Sequence, residues 1–242
     1  MDSWIMKEVL GFSRRTILFG LGLWFLTTNL LVLPVGADDK LQARQLVERA
    51  KLTLEKFLAA KEMGGMRKLL RDAKGVFIAP QVLKGAFIFG ASGGSGVFLA
   101  RDKSGKWKGP AFYILGEASF GLQMGGEASE VVFLAMTERG VTALLSDSVK
   151  FGADIAVAVG PVGMGADVST ANLSVDIIAF SISKGLYGGV SLEGAVVATR
   201  GDWNSAYYGK VVKPVDILMR GTVTSSHAQG LLNALAKATA GR

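Results

Sequence analysis

The chain has 242 residues, half of them hydrophobic, and a net charge of +7, which is enough apolar material for a folded core and excludes a disordered chain. It contains no cysteine and one histidine, His227, so disulfides, thiolate metal sites, a cysteine nucleophile and most zinc constellations are excluded. The basic excess favours anionic partners without choosing between phospholipid headgroups, nucleic acid and acidic polymers.

From Thr16 to Ala37 no residue is charged, and Ile17 to Leu26 is strongly apolar. This run follows Ser13-Arg14-Arg15, whose arginine pair matches the twin-arginine export pattern. Pro34, Val35 and Ala37 supply the helix breaker and the small residues that a signal peptidase reads, so residues 1–37 are expected to be a signal peptide cleaved after Ala37. The rival is an uncleaved anchor, because roughly 20 apolar residues span a bilayer. Either way the expected location is the cell envelope, periplasmic or membrane-anchored. Cleavage takes three basic and two acidic residues with it, so the net charge moves only from +7 to +6.

Residues 38–242 are expected to form one domain. Between Lys40 and Lys61, Ala43, Val47, Ala50, Leu54, Phe57 and Leu58 recur at helical spacing, and Gly64-Gly65 reads as the end of that helix. A short helix is expected over Met66 to Ala73, with Arg67, Arg71 and Lys74 opposite Met66, Leu69 and Leu70. After Gly75 come short β-like runs: 76–79, 86–89, 97–101 and 111–115, with Asp102-Lys103-Ser104-Gly105 as a turn. Further runs cover 130–136, 153–159, 174–183 and 190–198, and a terminal helix covers about 225–240. Within 153–159, Ile155, Val157 and Val159 alternate with smaller residues. Two segments, Lys84 to Val97 and Ser183 to Gly194, mix β-formers with many glycines, which predicts bent or closely packed β-structure. Both open on Lys-Gly, a weak trace of duplication. The expected fold is α+β: a curved, mostly antiparallel sheet or barrel with N-terminal and C-terminal helices packed on it.

Ala73 to Pro80, Lys84 to Gly96, Trp107 to Pro110, Ser119 to Gly125, Gly160 to Gly163, Ser183 to Gly194 and Asn204 to Gly209 fall in the order seen in SYLF domains. From about Leu41 to Leu218 the chain resembles that family, which includes a yeast actin-binding domain. Two departures are Lys108, where serine commonly follows the tryptophan, and Ser129-Glu130, where threonine or serine with aspartate is usual. The resemblance implies binding of anionic phospholipids, phosphoinositides in eukaryotic members, and of F-actin in the yeast relatives. An exported protein would not meet actin, so the expected partner is an anionic phospholipid or other amphiphile at a membrane surface.

Docking on an anionic bilayer needs basic groups beside apolar ones, each Lys or Arg near the surface contributing about 1 kcal/mol. Arg67, Lys68, Arg71 and Lys74 form one such strip, with Met66, Leu69 and Leu70 either inserting beside it or facing the core. Lys103, Lys106, Trp107 and Lys108 form another, whose tryptophan either sits at headgroup level or covers the sheet edge. Gly90 to Gly96 lacks the lysine and hydroxyl of a nucleotide loop, and Gly93 to Gly96 reads as a turn. His227 beside Ser225 and Ser226 reads as a surface or capping residue, and Glu117, Glu127, Asp154, Asp167 and Asp176 stand singly. No catalytic residue, metal or cofactor is expected, and no nucleic acid partner. The competing classes are an envelope lipid- or glycan-modifying enzyme and a structural adaptor for another envelope protein.

Overall fold

The computed structural model describes residues 35–86, 89–120, 125–160, 162–163, 175–183, 186–188 and 194–240. The twin-arginine leader up to residue 34, Lys184-Gly185 and residues 189–193 of the second glycine segment, and Asp167 lie outside the described residues.

The described residues begin with helix α1 (Val35–Ala59), a 3-10 turn (Lys61–Met63) and α2 (Gly64–Asp72). Four long strands follow: β1 (Gly75–Ala86), β2 (Phe89–Arg101), β3 (Trp107–Phe120) and β4 (Gly125–Ala135). Then come α3 (Glu138–Ala143) and the short strands β5 (Ser148–Lys150), β6 (Val157–Val159), β7 (Ile177–Ser183), β8 (Leu186–Gly188) and β9 (Val196–Thr199). The C-terminal part holds α4 (Gly201–Tyr208), a π-helical turn (Asp216–Arg220) and α5 (Gln229–Thr239). These strands make one nine-stranded sheet in the order β5-β9-β3-β2-β1-β4-β7-β6, with β8 also paired to β7. All its pairs are antiparallel except β6 with β7.

Strand alternation sorts the apolar side chains to two faces. Val76, Ile78, Val97, Leu99, Phe112, Val132 and Leu134 join one core with α1, α2, Trp203 and Tyr207 of α4, and Leu231 and Leu235 of α5. Their neighbours Phe77, Phe98, Tyr113, Val131 and Phe133 fill a second core together with Phe151, Ile155, Ile217 and Leu218. The edge strands β5 and β6 are joined through residues 151–156 alone. A flat sheet of this width puts its edges roughly 34 Å apart, whereas that link reaches only about 25 Å. The sheet must therefore curl, and the link packs Phe151 and Ile155 into the curl. Phe151 N–H donates to the Ala195 carbonyl at 2.8 Å, and Asp176 N–H donates to the Ala156 carbonyl at 3.1 Å, so the link is tied to both margins.

Several expectations are corrected. Gly64-Gly65 do not end the first helix, which stops at Ala59; they begin α2. Gly93 to Gly96 are not a turn but the interior of β2, where the close approach of β1 leaves no room for a side chain at Gly94 or Gly96. A Cβ on Gly94 would lie 2.1 Å from the Gln81 carbonyl oxygen, and one on Gly96 2.3 Å from the Phe77 ring. The register slips between Ile78 and Leu83, a bulge that admits Pro80 into a central strand. Residues 153–156 belong to the link, so the expected strand shrinks to β6, and Val159 is exposed.

Candidate functional site

Arg67 lies on α2, and its guanidinium donates to the carbonyls of Leu58 (3.1 Å) and Ala60, closing the C-terminal end of α1. Lys74 pairs with Glu138 at 3.0 Å. Lys68 and Arg71 are exposed, and neither side chain makes an ion pair among the described residues. Met66, Leu69 and Leu70 are buried in the helix-side core, which takes the inserting role away from them.

Of the second group, Lys106, Trp107 and Lys108 line a cavity and Lys103 stands on the hairpin outside its lining. The hairpin between β2 and β3 turns on Asp102, whose carboxylate accepts from Ser104 N–H (2.9 Å), Ser104 hydroxyl (2.6 Å) and Lys106 N–H (3.0 Å), while Gly105 takes a left-handed φ of 82°. The Ser104 hydroxyl foremost, with the backbone donors and Lys108, holds the Asp102 carboxyl down at about 2. Asp102 therefore stays charged and sits 3.4 Å from Lys108, whereas Lys103 and Lys106 are exposed and unpaired among the described residues. Trp107 is 4% exposed. Its indole N–H donates to Thr239 at 3.2 Å, and the Arg101 guanidinium covers its ring at 4.8 Å.

Lys106, Trp107 and Lys108 form one wall of a groove of about 410 Å³ against residues 221–225 and α5. Ile217, Val223, Leu232 and Ala236 make it apolar, and Thr224, Ser225, Gln229 and Asn233 add neutral polar groups. This size suits a small ligand or a lipid headgroup. No carboxylate or histidine lines it. The contribution of 221–225 and α5 left no signal in the sequence beyond the helical spacing of Leu231 and Leu235, because the groove exists only once α5 docks on β3.

Of the other titratable groups noted in the sequence, Asp176, Asp154 and His227 serve the fold, while Asp167 and the side chains of Glu117 and Glu127 lie outside the described residues. Asp176 is buried, accepting from the Thr137 hydroxyl at 2.6 Å and Ala156 N–H at 3.2 Å. Asp154 accepts from Lys150 N–H at 2.7 Å. His227 is half-buried, not a surface residue: its Nδ1 is 3.2 Å from the Tyr207 hydroxyl and its Nε2 3.2 Å from Glu48. Among the described residues no group of three or more His, Asp or Glu is placed to hold a metal. No helix among them is long and apolar enough to cross a membrane.

The curled α+β sheet thus carries a basic, partly apolar groove beside the β2–β3 hairpin. A family model described as Ysc84, Las17-binding protein actin regulator, matches residues 116–238. The chain is 36% identical over 146 residues to Protein YSC84 of Saccharomyces cerevisiae, covering 58% of this chain and 31% of that protein. It is 30% identical over 209 residues to the human SH3 domain-containing YSC84-like protein 1, covering 84% of this chain and 60% of that protein. The chain belongs to the Ysc84 family, the family of SYLF domains. Each match spans less than two thirds of the relative's own length. The family description names Las17 binding and actin regulation, and the human relative's name an SH3 domain.

Proposed function

We propose that this protein binds anionic phospholipid at a membrane surface without altering it, through the groove beside the β2–β3 hairpin. The observation that carries this reading is the pairing of unneutralised Lys103 and Lys106 with the apolar lining of the groove. Lysines attract headgroup phosphate, and Ile217, Val223 and Leu232 offer cover to the adjoining glycerol and first methylenes. Lys68 and Arg71 extend the basic surface. With a twin-arginine leader removed after Ala37, the surface in question is that of the cell envelope; an intact Met1 in protein from its own host overturns the cleavage.

Sedimentation with vesicles of phosphatidylglycerol and phosphatidylcholine tests the binding. Lys103→Glu with Lys106→Glu should lower partitioning by roughly thirtyfold or more, from about 1 kcal/mol per lysine removed. Unchanged sedimentation overturns the site, and a wild type that ignores these vesicles at low salt overturns the function. The family description names actin regulation, so cosedimentation with F-actin is the companion assay. We expect none, and filament binding replaces the phospholipid reading if vesicles are ignored.

A further inference from the structure

A second pocket, of about 240 Å³, lies between α1, the β1 bulge and the start of α4. Donor-bearing residues line it: Arg49, Arg200, Gln42, Gln81, Ser95 and Trp203. No carboxylate lines it. Arg200 is held in place, its guanidinium 3.7 Å above the Trp203 ring, Nη2 3.1 Å from Asp202 and Nη1 3.4 Å from Ser95 Oγ. The Gln42 amide nitrogen is spent on Asp38 at 2.6 Å. Arg49 is exposed and makes no ion pair among the described residues. Trp203 is 4% exposed, and its buried Nε1 has no hydrogen-bond partner. An orphaned buried donor costs folding free energy unless a ligand satisfies it.

Beside the pocket, large apolar side chains of the sheet are exposed. Ser95 stands opposite Ile114, and Gly93 stands opposite both Leu83 and Gly116, which in turn faces Val196. These residues share the face that α1 and α4 cover elsewhere, yet Leu83, Ile114 and Val196 are 55%, 47% and 38% exposed. Two arginines in one pocket that no carboxylate lines suit an oxyanion, and a neighbouring apolar strip suits an oxyanion with a hydrocarbon attached.

We propose that this pocket is a second binding site, for the phosphate group of an anionic amphiphile whose apolar part lies on Leu83, Ile114 and Val196. The amphiphile rests on the phospholipid reading above; the phosphate rests on the donors alone. The test uses the full-length ¹⁵N-labelled protein in neutral detergent, titrated with inorganic phosphate and with dihexanoylphosphatidic acid. Both ligands should move the one indole resonance that Trp203→Phe removes. Arg49→Gln, at an exposed position, should weaken each by about fivefold. The phosphatidic acid should bind about tenfold tighter than phosphate, and Leu83→Ser should close that gap.

A resonance that stays put with both ligands, or a shift that Arg49→Gln leaves unchanged, overturns the site. Equal affinity for the two ligands overturns the amphiphile and leaves a site for free phosphate compounds. A silent Trp203 in a protein that still sediments with vesicles sinks this inference alone. A Trp203 that answers phosphate in a protein that ignores vesicles sinks the proposed function instead, and the amphiphile with it.

Discussion

His227 ties the turn before α5 to Glu48 of α1 and Tyr207 of α4. Burial is the largest influence on its ring and lowers its pKa from 6.5, Arg44 lowers it further, and Glu48 pulls the other way without winning. The folded protein therefore prefers the neutral ring, and the unfolded chain takes up the proton more readily. The contribution is fully present above the unfolded value of about 6.5 and is lost as pH falls below it. Urea midpoints at pH 7.5 and 5.5 should fall further for wild type than for His227→Gln. An equal or smaller fall in wild type contradicts the sign. Gly96 allows a second experiment on a single residue. The Phe77 ring that a Cβ would meet at 2.3 Å is stacked on Phe133 at 5.1 Å and set edge-on to Tyr113 at 6.3 Å, so it has nowhere to swing. Gly96→Ala should cost about 1–3 kcal/mol. Gly116→Ala, with nothing within 4 Å of its Cβ, is the control and should cost nothing measurable by thermal unfolding.

Among the elements, α4 is fastened to β3 by the Tyr208 hydroxyl on the Pro110 carbonyl, by the Trp203 and Tyr207 rings against Phe112, and by buried Asn204. The ladder between β3 and β9 ends at Tyr113 opposite Thr199. Beyond it the Asn204 carboxamide takes the place of a strand, accepting from Phe112 N–H at 3.0 Å and donating to its carbonyl at 3.4 Å. Asn204→Ala strips the Phe112 N–H of its partner, while the Phe112 carbonyl keeps Arg200 N–H at 2.9 Å, and should cost about 1–3 kcal/mol. An equilibrium unfolding curve unchanged from wild type would refute that role. Nothing in the sequence marked Asn204 as more than part of a family string, because its meaning lies in a contact with residues far along the chain. The elements that were legible are those whose signal is local. Helical spacing from Ala43 to Leu58 produced α1, and β-formers around Val76, Val97 and Ala111 marked pieces of β1, β2 and β3. Glycine hid the length of those strands: Gly93 to Gly96 look like a turn to any local rule, and only the nearness of Gln81 and Phe77 makes them a strand. Of the candidate site, the basic hairpin was readable as a cluster, but the burial of Trp107 and the closing wall from α5 were not.

At the scale of the whole molecule, the curl depends on the link that joins its margins. Phe151 is fully buried there, edge-on to Phe133 at 5.5 Å, and its backbone is bonded to Gly194 and Ala195 beside β9. Phe151→Ala should cost about 3–5 kcal/mol and raise hydrogen exchange at β5, β6 and β9 before β1 and β2. Uniform exchange through the sheet would mean that the link closes nothing.

The same packing bears on how a lipid is held. The inside of the curl is filled by Phe77, Phe98, Tyr113, Phe133 and Phe151, and the space under the helices by Leu54, Phe57, Met63, Met66 and Leu70. These side chains pack both layers, whereas the groove at the hairpin opens beside exposed lysines. Docking at such a surface is a screened interaction, the Debye length falling from about 10 Å at 0.1 M salt to about 3 Å at 1 M. Vesicle binding by the wild type should therefore decline steeply between those concentrations, and Lys103→Glu with Lys106→Glu should flatten the decline. Binding that survives 1 M salt, together with a lipid retained through native mass spectrometry, would place the ligand inside the fold and remove the hairpin from the mechanism.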